Sequence, residues 1–176
     1  GDTRRTGDEG FAMKMGRALL VLGLLGTAGL LAAAVLGYGL SGIADAQVRR
    51  HVLLALAATL VLMFSHTWIV LYMLATGKVI SRVVRERGYP EELLERARRL
   101  RLRVIPWLLA AFAAVAATFI TGGAVLSGGV PAIIHQLLFY LTLVLQGAVM
   151  LAERRVLAEH ERLAADLGRR MQPDAA

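Results

Sequence analysis

Three long stretches of this chain, residues 18–44, 51–77 and 104–152, contain no Asp, Glu, Lys or Arg. A helix that crosses a bilayer needs roughly 20 mostly apolar residues, so each of the first two windows holds one span. The third is long enough for two. Within it, TGGAVLSGGVP from Thr121 to Pro131 supplies the Gly- and Pro-rich turn that ends one helix and starts the next. The pattern predicts an all-α polytopic membrane protein, a four-transmembrane antiparallel helix bundle with spans at about 18–40, 52–77, 104–125 and 131–152. The apolar run of the first span far exceeds the roughly 7–15 residues of a signal-peptide core. It therefore reads as a retained anchor, despite the small-residue triplet Ala44, Asp45, Ala46 after it.

The segments outside the spans have patterns of their own. Residues 1–16 form a tail, and residues 17–152 form the membrane domain. Within that domain, residues 78–103 read as a helical hairpin projecting beyond the bilayer. Val79, Ile80, Val83 and Val84 continue the second span as an apolar stripe that Gly88 is placed to end. Pro90, Glu91 and Glu92 then suit a new helix start, where the dipole favours anions. Residues 153–176 form a C-terminal amphipathic helix and tail with the stripe Val156, His160, Leu163, Leu167 and Met171. It is expected to pack on the hairpin or a partner rather than lie flat on the membrane.

Charge adds direction. Lys and Arg cluster in the N-terminal tail, between Lys78 and Arg103, and after Ala152, whereas only Arg49 and Arg50 fall on the opposite side. Cationic loops resist translocation, so the basic side is expected to be cytoplasmic, with both termini inside. The alanine- and arginine-rich composition suggests a bacterial cytoplasmic (inner) membrane. This topology and contact with anionic headgroups account for the net charge of +7 with no nucleic acid partner. The absence of cysteine excludes disulfides, thiolate metal sites and cysteine nucleophiles. Small-residue ridges, Gly29, Ala33 and Gly37 in the first span and Ala110, Ala114, Thr118 and Gly122 in the third, suit close helix packing.

The candidate chemistry rests on histidines. His51 opens the second span and His135 the fourth, and both spans run the same way, so the two sit at similar depth near the outer face. Two imidazoles on neighbouring helices can ligate a haem iron from both sides. Arg49 and Arg50 stand where they could pair with propionates. The same offset places Met150 level with the deeper His66, a second possible axial pair. Alternatively, His66 is a buried hydrogen-bonding residue or a proton relay; no acidic residue falls within the expected spans, which weakens the relay reading. Among the aromatics, Trp107 reads as an interfacial anchor and Trp68 as core packing.

No catalytic set is present. The expected function is a small non-enzymatic membrane subunit or anchor of a larger assembly, one that binds b-type haem for transmembrane electron transfer. The rival is an oligomeric channel or transporter built on the small-residue faces. Expected partners are the lipid bilayer and other membrane subunits or copies of the same chain.

Overall fold

The computed structural model describes residues 3–38 and 45–170, with side chains over 15–38 and 46–170. Four helices follow in order: α1 Thr3–Tyr38, α2 Asp45–Arg87, α3 Glu92–Leu126 and α4 Ala132–Arg170. Each contains a stretch long and apolar enough to cross a membrane, and no strand occurs among the described residues. The 43 residues of α2 and 39 of α4 reach roughly 65 and 58 Å at 1.5 Å per residue. That is about twice the 30 Å thickness of a hydrocarbon core. Large apolar side chains such as Leu25, Val35, Leu60, Leu109 and Val144 face outward, an arrangement suited to lipid contact.

Two turns close with the same device. After α2, Gly88 adopts a positive φ of 64° and the Tyr89 N–H donates to the Val84 carbonyl at 3.0 Å. After α3, Gly128 has φ 74°, and Gly129 and Gly128 donate to Ala124 and Val125 at 2.8 and 3.0 Å. Both are left-handed C-terminal caps that glycine adopts without steric cost. The α1–α2 connection at 39–44, including the Ala44 end of the small-residue triplet, lies outside the described residues.

α1 packs on α2, α2 on α3 and α3 on α4, while the α1–α4 seam is sparser. This order puts α2 and α4 at opposite corners. Leu30, Ala58, Leu62, Val115 and Phe139 fill one end of the interior. Leu19, Ile69, Met73, Val104, Leu108 and Val149 fill the middle. At the basic end, Leu163 and Leu167 of α4 pack with Ile80, Val84, Leu93 and Ala97. The expected C-terminal stripe is thus buried against the hairpin through Val156, His160, Leu163 and Leu167; Met171 lies outside the described residues. α4 reaches that position without a break, so the stripe continues the fourth span.

One set of buried positions occurs twice. Leu19, Leu30 and Ala33 of α1 correspond to Val104, Val115 and Thr118 of α3. Ala58, Leu62, Ser65 and Ile69 of α2 correspond to Thr142, Gln146, Val149 and Glu153 of α4. Close approach in the first hairpin depends on glycine: a Cβ on Gly29 would stand 2.9 Å from Cβ of Ala58. That ridge is consumed by packing inside the chain. Overpacking typically costs about 1–3 kcal/mol, so Gly29→Leu is expected to destabilise the detergent-solubilised protein by that amount in thermal unfolding. Gly147, whose Cβ position meets nothing within 4 Å, is the control: Gly147→Ala should be neutral or gain up to about 1 kcal/mol from helix propensity.

Candidate functional site

A helix repeat places Thr142, Gln146, Val149, Glu153, Val156 and His160 on one stripe of α4, and all six are buried. Polar groups on such a stripe need partners, because an unbonded polar group in an apolar interior costs several kcal/mol (about 2–7). Thr142 donates to the Leu138 carbonyl at 2.8 Å and accepts from the Thr118 hydroxyl at 2.7 Å. Lower down, the Thr76 hydroxyl donates to the Tyr72 carbonyl at 2.7 Å, so Nε2–H of His160 donates to the Thr76 oxygen, also at 2.7 Å.

Between these pairs sits His66, 2% exposed. Its Nδ1 lies 3.2 Å from a carboxyl oxygen of Glu153, and its Nε2 lies 3.1 Å from Oε1 of Gln146. Glu153 is as buried as the histidine, and Gln146 is fully buried. Nε2 of Gln146 is the one buried side-chain nitrogen or oxygen without a hydrogen-bond partner among the described residues. Next to His66 in sequence, the Ser65 hydroxyl donates to the Leu19 carbonyl of α1 at 3.0 Å. A cavity of about 260 Å3 between α2 and α3 also reaches His66, lined mostly by carbon from Val70, Leu108 and Phe112.

This arrangement corrects the expectation that the interior holds no acid. Glu153 opens the run Glu153, Arg154, Arg155, which ends the charge-free window and so reads as solvated. Helical phase separates the three: Glu153 turns inward, in step with Gln146 and Val149, while both arginines are exposed. The seven-residue spacing of Gln146, Glu153 and His160 was the signal that would have found it.

His51 and His135 each join the two helices of one hairpin. His51 Nδ1–H donates to the Ala33 carbonyl at 2.7 Å, and His135 Nδ1–H to the Thr118 carbonyl at 3.0 Å. Each ring lies against a glycine, with a Cβ on Gly37 or Gly122 falling 2.9 or 3.0 Å from the ring Cε1. Arg49 and Arg50 are exposed beside His51 and form no ion pair among the described residues. His66 and Met150 are not assembled as a ligand pair. Both nitrogens of His66 are bonded to Gln146 and Glu153, and the Met150 sulfur lies 3.9 Å from the Thr27 hydroxyl oxygen, which donates to the Gly23 carbonyl at 2.8 Å.

Trp68 departs from the expected core packing: it is 41% exposed, stacks on Phe64, and its Nε1–H donates to the Met15 sulfur of α1. Helical phase turns it away from the stripe holding Ser65, Ile69 and Met73, which takes the interior. Among the described residues no group of three or more His, Asp or Glu is poised to hold a metal ion. Comparison with protein-family models, curated proteins and solved structures gives no match.

Burial lowers the pKa of His160 below its ordinary value, because desolvation disfavours the charged ring. The unfolded chain then binds protons more readily than the folded one as pH falls through about 6.5. Stability is therefore expected to be unaffected by this group above that pH and to decline below it, down to the folded-state pKa. Thermal unfolding midpoints measured from neutral to mildly acidic pH check this, and His160→Gln should flatten that part of the profile.

Proposed function

We propose that this chain is a non-catalytic integral subunit of a larger assembly in the bacterial cytoplasmic membrane, and that His51 and His135 hold a b-type haem for electron transfer. The basic hairpin and both termini lie on the cytoplasmic side in this reading. Support for the membrane setting comes from the four apolar helices and the one-sided distribution of Lys and Arg. The basic end, where the hairpin and the tail of α4 form a packed platform, offers a surface for other subunits.

The observation that carries the haem reading is the repeated histidine arrangement. Each imidazole gives its Nδ1–H to a main-chain carbonyl, which fixes the tautomer and leaves Nε2 with a lone pair. That is the state in which histidine binds a metal, with the carbonyl orienting the ring from behind. The donor set therefore fits a bis-imidazole haem, with one ligand from each hairpin. Arg49 and Arg50 would hold its propionates. When bound, the haem supplies one-electron redox chemistry; the chain's part is to orient the two rings. His66 and Met150 have no part in this site.

The absorption spectrum of the purified protein is the test. A Soret band with α and β bands that sharpen on reduction is expected, lost in His51→Ala and in His135→Ala. A colourless, iron-free preparation from haem-replete cells would remove the haem reading.

A further inference from the structure

We propose that His66, Glu153 and Gln146 form a proton-binding site inside the bundle, one that gains and releases a proton in the folded protein. It stands apart from the haem reading, since none of the three belongs to the His51–His135 site.

The hydrogen bonds restrict where protons can be. Gln146 presents its oxygen to the ring, so Nε2–H of His66 donates to it. The bond between Nδ1 and Glu153 then needs one proton, which belongs either to the imidazolium or to the carboxylic acid. Both forms leave the cluster with no net charge, and the proton crosses a single hydrogen bond between them. Removing it leaves a lone carboxylate, and adding another leaves a lone imidazolium beside a neutral acid. Either change creates a net charge in an apolar interior, where such a charge is costly and ionisable side chains mark ion or proton pathways.

Filling space at these positions does not by itself require polar residues. In the first hairpin the positions matching Gln146 and Glu153 hold Leu62 and Ile69, both fully buried. The same packing positions are thus filled by carbon alone, and replacing buried ionic groups with apolar ones is often neutral or stabilising. An acid, an imidazole and an amide clustered on one side of a repeated apolar frame point to proton chemistry rather than packing.

The side chains packed around the cluster are mostly apolar. Ile69 and Met73 of α2, Leu19 of α1, and Val104 and Leu108 of α3 pack in the same core. Arg17 on α1, and Arg154 and Arg155 on α4, are exposed. Arg101 of α3 lies toward Gly77. Tyr72 on α2 and His160 on α4 form a tilted ring pair nearer the basic end. Glu161 of α4 packs near Gly16 of α1. His160 shares the inner stripe of α4 with Glu153, two turns further on.

Infrared difference spectra of the full-length protein, recorded while pH is stepped, test the proposal. A protonated-carboxyl band should change intensity across the pH steps and shift in deuterated water. It should disappear in Glu153→Gln, and His66→Gln should move its midpoint. Glu153→Asp retains an acid but alters the band frequency, which assigns the band should Glu153→Gln fail to fold. A carboxyl signal that stays constant across those steps, or one that titrates unchanged in the Glu153 variants, overturns the proposal.

Discussion

Everything at the centre of this bundle depends on the pairing of Glu153 with His66. A carboxyl group in an apolar interior must be neutralised or partnered, and leaving either member of a buried pair alone costs several kcal/mol (about 3–5). The bond joins α2 to α4, helices at opposite corners of the bundle. The imidazole is clamped between two α4 residues two turns apart, Gln146 on one nitrogen and Glu153 on the other. Rotating α4, or sliding it by a turn, breaks both bonds at once. In a medium where water provides no hydrophobic drive between helices, such a clamp fixes register in a way that interchangeable Leu and Val contacts do not.

The rest of the structure is two similar hairpins arranged around that clamp. Each is fastened near one end by a histidine on a main-chain carbonyl beside a glycine, and each buries the same series of positions. They differ where Leu62 and Ile69 give way to Gln146 and Glu153. A chain concerned only with packing could have used carbon in both hairpins. The second hairpin places polar groups where the first has only carbon.

The sequence made the helices legible because the charge-free windows are long and the Gly and Pro signals at Gly88 and in the 121–131 turn are strong. Both glycines that cap helices take the left-handed conformation their placement implies. The burial of Val156, His160, Leu163 and Leu167 was also readable from helical spacing. Glu153 was not, because counting charges assigns a residue to water whenever its sequence neighbours are arginines. Only helical phase, carried past the end of the apolar window, shows that Glu153 shares a face with Gln146 and Val149. The partner of His66 was hidden for a related reason: a single helix reports which residues share its face, not what stands across the bundle.

A double-mutant cycle on His66 and Glu153 tests the clamp most directly, with unfolding free energies measured in the same detergent or bilayer for His66→Leu, Glu153→Leu and the double variant. Each single change should destabilise the protein by leaving the other polar group unpaired. The double variant should be less destabilised than the two single effects added together, by at least about 1 kcal/mol. Additivity within about 0.5 kcal/mol would mean that the two side chains do not act on each other and would contradict the account.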